Sequence, residues 1–267
     1  MNKPIRYGAI AIGAAMMCSG SVLPEEVGGV ADDTNASGEY SLIEALVAAE
    51  TTLGAAAPEE TLNVSAAVAI HATVPPGSSG PESGTDIESA MAALSDAAPQ
   101  ELSALMAVAE SLRAVAPSEI EATAAAEQSL AAKAPAEFIA YTRALIALSA
   151  AAPEEAAQAN MAEVSLAAAA PEEFAAYAAA FAVAASSDQE SPGAAFYAVA
   201  SLLAAGAPRK YAALSDAITQ LSSVAPEEFT ARDAAEIAMA ASAPEEYAAL
   251  HVALARLAAA SLQPPMD

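Results

Sequence analysis

Tryptophan is absent from this chain, and phenylalanine and tyrosine together supply only 4% of its 267 residues. Any interior must therefore be filled mainly by small aliphatic side chains in close helix contacts rather than by bulky rings. The single cysteine, Cys18, excludes an internal disulfide framework and a multi-cysteine metal site. Basic residues are equally scarce: 9 lysines and arginines face 34 aspartates and glutamates, a formal charge of −25. Such a surface repels nucleic-acid phosphates and anionic membrane, so neither is expected as a partner. The chain has no Gly-rich phosphate loop, no His-Glu-x-x-His helix and no Gly-x-Ser-x-Gly elbow. Its two histidines, His71 and His251, fall in different units, on or beside the apolar stripe, and are expected as core or margin residues. No catalytic residue, metal or cofactor is expected, and the chain reads as a non-enzyme.

What is present is alanine, about 80 residues of it, and a strong repeat. The N-terminus comes first. Lys3 and Arg6 precede an uncharged, mostly apolar run from Gly8 to Cys18 and the small residues Ser19, Gly20 and Ser21, which predicts a signal peptide over residues 1–21. Lipidation at Cys18 is the alternative, disfavoured by the large Met16 and Met17 before it. The run is too short for a permanent span, so the mature chain is expected to be secreted, periplasmic or at the cell surface, without a stable membrane anchor. Residues 22–39, rich in Gly, Asp and Glu without an apolar period, predict a flexible lead-in.

From there prolines beat every 18 residues, at Pro99, Pro117, Pro135, Pro153 and Pro171 and again at Pro208, Pro226 and Pro244, with Pro192 displaced. The beat extends back through Pro81 and, after an insert at 75–80, through Pro58. Most units open Ala-Pro-Glu-Glu or close to it. Proline at the first helical position loses no hydrogen bond, and the carboxylates meet the positive end of the helix dipole. The residue before each proline is pushed out of the helical region, so each unit predicts a helix of roughly 14 residues and a turn of roughly four.

Alternate units differ. Trailing helices carry large apolar residues at unit positions four, seven, eleven and fourteen, as in Phe138, Tyr141, Leu145 and Leu148, or Tyr247, Leu250, Leu254 and Leu257. Leading helices keep one large residue at position fourteen, at Leu53, Leu94, Leu130, Leu166, Leu203 and Met239. Their position eleven is glutamate in four of six: Glu50, Glu127, Glu163 and Glu236. The pattern predicts an all-α array of six helical hairpins of about 36 residues over residues 40–261, followed by a C-terminal tail at 262–267. The expected form is an open α-solenoid, with a closed α/α toroid as the alternative. The unit length approaches that of tetratricopeptide-type arrays, but the Trp, Gly and Tyr markers of that motif are missing, so the similarity is one of architecture.

The four glutamates share a helical face with the large residues of their own units. Each must either receive hydrogen bonds from a neighbouring helix or open into a solvent-filled groove. Arg232 lies one turn before Glu236, and Ser129 and Ser165 are near in sequence. If leading helices line a concave side, Glu50, Glu127, Glu163 and Glu236 form an acidic binding track for a basic peptide or cation. The functional expectation is an exported module that binds or scaffolds proteins or basic peptides. Two alternatives are a surface-assembly protein stacking end to end, and an α/α-toroid hydrolase or lyase with glutamate as acid and base.

Overall fold

The computed structural model describes residues 41–73, 83–187 and 194–262. The expected signal peptide (1–21), the expected lead-in (22–39), the insert (75–80) and the part of the tail beyond Leu262 lie outside the described residues. Twelve helices occupy the rest: α1 (Leu42–Ala56), α2 (Pro58–Ala72), α3 (Ser83–Ala97), α4 (Pro99–Val115), α5 (Pro117–Lys133), α6 (Pro135–Ala151), α7 (Pro153–Ala169), α8 (Pro171–Ala185), α9 (Ala194–Gly206), α10 (Pro208–Val224), α11 (Pro226–Ser242) and α12 (Pro244–Ala260). The described residues form an all-helical repeat array in which every described helix touches the next in order.

Each proline beat marks a corner, and the corner is tighter than the spacing suggests. The helices that follow the beat mostly run 17 residues, and a single alanine joins each to its predecessor. These junction residues are Ala57, Ala98, Ala116, Ala134, Ala152, Ala170, Ala207, Ala225 and Ala243, all buried. At Ala134 the backbone stands at φ −132 and ψ 61, and its eight counterparts are close to it. Ala134 N–H donates to Leu130 C=O at 2.9 Å, completing α5, and Phe138 N–H donates to Ala134 C=O at 2.9 Å, opening α6. One residue thus serves both hydrogen-bond ladders, while the following proline needs no donor partner. The expected four-residue turn is unnecessary for that reason.

A one-residue corner also stops consecutive helices from lying antiparallel along each other. The α7–α8 pair bends by 115°. Broad side-by-side contact between sequence neighbours is found for α2 with α3 and for α8 with α9, the two described pairs separated by several residues.

The other large contacts are between distant helices. α12 lies on α8, α5 and α7; α11 lies on α6; α10 lies on α7; and α1 lies on α4, α7 and α6. The array is folded back so that its first and last described helices pack into its middle. One core runs through nearly all of it, including all six large residues predicted at position fourteen of the leading helices. A small second cluster brings the Ala152 and Ala225 corners together with Leu148 and Leu221. Of the trailing stripe, Leu145, Tyr211 and Ile218 are only half-buried. His71, expected on the apolar face, is exposed at the end of α2, whereas His251 is buried in α12.

Candidate functional site

Glu127 shows how each glutamate comes to be inside. On α5 the buried residues are Ile120, Thr123, Ala124, Glu127, Leu130 and Ala131, a stripe at helical spacing with the carboxylate at its centre. Glu50 holds the equivalent place on α1 between Leu46 and Leu53, Glu163 on α7 between Ala159 and Leu166, and Glu236 on α11 between Arg232 and Met239. The four are 6, 1, 6 and 0% exposed for Glu50, Glu127, Glu163 and Glu236.

The folded-back array sorts them into two groups. Glu236 accepts a 2.6 Å hydrogen bond from the Tyr247 hydroxyl of α12 and faces the Arg232 guanidinium at 3.4 Å. Arg232 also meets Asp233 at 3.0 Å and hydrogen-bonds Tyr141 of α6, and it feels the charge of Glu163. Burial works against the charge on Arg232, but the surrounding carboxylates, Glu236 foremost, hold its pKa above the ordinary range. Burial, reinforced by the charge of Glu236, raises both Tyr141 and Tyr247, so both phenols stay neutral; Tyr247 donates to Glu236, while Tyr141 accepts from Arg232. Asn160, Glu163 and Arg232 border a cavity of about 20 Å³, room for a single water among polar partners.

Glu127 and Glu50 make up the other group. Burial first, and the nearby Glu50 carboxylate second, push Glu127 well above the usual carboxylate range. Neither carboxylate oxygen of Glu127 has a hydrogen-bond partner among the described residues. Thr123, one turn earlier, donates instead to Glu119 C=O at 2.8 Å, and Thr51, beside Glu50, donates to Val47 C=O at 2.9 Å. Both hydroxyl protons are thus spent on their own helices, and the Thr51 oxygen also accepts from the Asn160 amide of α7 at 3.1 Å.

Glu50, Glu127, Glu163 and Glu236, expected to line an acidic track, are all buried, turned toward the interior of the array. Ser129 is exposed and Ser165 half-buried, and the Glu236 partners are Arg232 and Tyr247. Arg232 was visible from its position one turn before Glu236. Tyr141 and Tyr247 were visible only as core residues, because nothing local indicates which helix they face. No group of three metal-ligating side chains occurs among the described residues. No single described helix is long and apolar enough to cross a membrane.

One further feature lies on the surface. α9 is the only described helix without a charged residue. It buries Phe196 and Leu203 and exposes Tyr197 at 47% and Leu202 at 62%, and Val183 is exposed on the adjoining α8. No protein-family model, curated protein or solved structure matches the chain.

Proposed function

We propose that this chain is an exported, acidic helical-repeat protein that binds or scaffolds other proteins, and that it does so through α9 rather than through its glutamates. The observation that carries the reading is the uncharged, exposed face of α9 on a chain of net charge −25. Every other described helix carries acidic residues, whose desolvation against an apolar partner is costly. A partner offering an apolar groove or helix finds one place where contact costs little desolvation of charge. The glutamates, all buried, serve the interior instead.

The test uses Tyr197→Glu with Leu202→Glu, two changes on the exposed side of α9. Both should leave the thermal melt within a few degrees of the unchanged chain. The wild-type protein, tagged and recovered from the envelope of an exporting cell, should retain a stoichiometric partner that the double variant loses. Equal retention by both proteins places docking elsewhere and rejects the reading, as does the absence of any partner from the wild type.

A further inference from the structure

The Glu50 and Glu127 pair has a property that neither the docking reading nor the repeat requires. Glu127 is 1% exposed, on the buried stripe of α5, and both its oxygens lack hydrogen-bond donors among the described residues. The one buried cation among the described residues, Arg232, is engaged with Glu236 and Asp233. An ionised carboxylate without donors or a counter-charge is among the most expensive groups to hold in a protein interior, and a second carboxylate nearby raises the cost. A neutral carboxylic acid in the same place needs only a modest polar neighbour.

We propose that Glu127 is an internal proton-binding site: it carries a proton at neutral pH, and release of that proton loosens the seating of α5 in the array. The released proton passes to solvent and leaves an ionised Glu127 in the core with no donor among the described residues. α5 is held by α12, α2, α4 and α6. The buried titratable groups on these helices are Tyr247, committed to Glu236, His251, with Nδ1 2.9 Å from Tyr247 C=O, and Tyr141, hydrogen-bonded with Arg232. The charged residues of α2, α4 and α6, and the remaining ones of α12, are exposed or half-buried. Burial first, and the Glu50 charge on α1 second, act on Glu127, both in the upward direction.

The sign of the pH dependence follows. A carboxyl whose folded-state pKa lies above its unfolded value near 4.5 contributes stability that is complete below that value. This contribution is lost as the pH rises through the folded pKa. Across that window each pH unit makes unfolding up to tenfold more favourable. Surface repulsion in so acidic a chain acts in the same direction, so the experiment isolates the pair by difference, in roughly 0.5 M salt to screen exposed charges.

Unfolding constants of the wild type, Glu127→Gln and Glu50→Gln are measured by urea titration at half-unit steps from pH 5 to 9. Infrared difference spectra of wild type and Glu127→Gln are recorded at pH 7. The wild type should show a carboxylic-acid C=O band absent from Glu127→Gln, and the steep rise of its unfolding constant with pH should flatten in that variant. Glu50→Gln should narrow the window by removing the charge that raises Glu127. Should Glu127→Gln fail to fold, the Glu50→Gln profile and the wild-type band still decide. Unchanged pH slopes in the variants that fold, or no acid band in the wild type at pH 7, overturn the proposal.

Discussion

His251 rests against the Tyr247 ring at a centroid separation of 4.2 Å and near Phe174 at 6.3 Å, fully enclosed in α12. Burial is the main cause that lowers its pKa from 6.5 to about 4, and the Arg232 charge adds to it, against an opposing hydrogen bond to Tyr247 C=O. The fold therefore prefers the neutral ring. Its contribution to stability is present above about 6.5 and is lost as the pH falls toward about 4. His251→Phe keeps the ring contacts and removes the titration. Its melting temperature should fall less than that of the wild type between pH 6.5 and pH 4, as followed by circular dichroism; an equal fall contradicts the assignment. His251 and Glu127 act in opposite directions with pH, so each is read most clearly in a variant lacking the other.

That Glu50, Glu127, Glu163 and Glu236 share a face with the large apolar residues of their units was legible, because helical period alone sets which residues share a face. Their partners were not. Tyr247 reaches Glu236 from the next helix and Tyr141 reaches Arg232 from α6, a meeting that depends on which helices pack together. Whether a carboxylate at the centre of a stripe faces a groove or the interior depends on that same packing.

At the scale of the element, proline and alanine together make the corner. Pro171 holds Ala170 out of the helical region, and Ala170 lets α7 and α8 turn by 115° within one residue. Alanine fits because the junction is buried, so a larger side chain meets the core. Pro171→Ala removes the restriction on Ala170 and frees the unfolded chain. It should cost about 0.4–1 kcal/mol, read as a lower urea midpoint with an unchanged slope. An unchanged or raised midpoint means that the packing of the corner alone dictates it. The corner positions were plain in the sequence, since each proline announces one. Their length was not, because a single residue completing two hydrogen-bond ladders leaves no composition signal.

At the scale of the whole molecule, twelve helices with closely similar apolar faces do not reveal from sequence which pairs will pack. Periodicity defines the repeat and each buried face, while the return of α12 to α5, α7 and α8 and of α1 to α4, α6 and α7 is settled by the complete set of shapes. A linear array in which units touch only their neighbours unfolds in parts, since its stability is a sum of local terms. Here the first and last described helices are seated in the middle of the chain and one core passes through nearly all of them. Removing any part exposes surface in several others, which is the condition for a single cooperative transition. This folded-back core encloses the carboxylates and leaves α9 at the surface. Differential scanning calorimetry under reversible conditions tests it directly. One transition is expected whose calorimetric and van't Hoff enthalpies agree, coincident with the loss of helical circular dichroism. Several resolved transitions, or a calorimetric enthalpy well above the van't Hoff value, would contradict it.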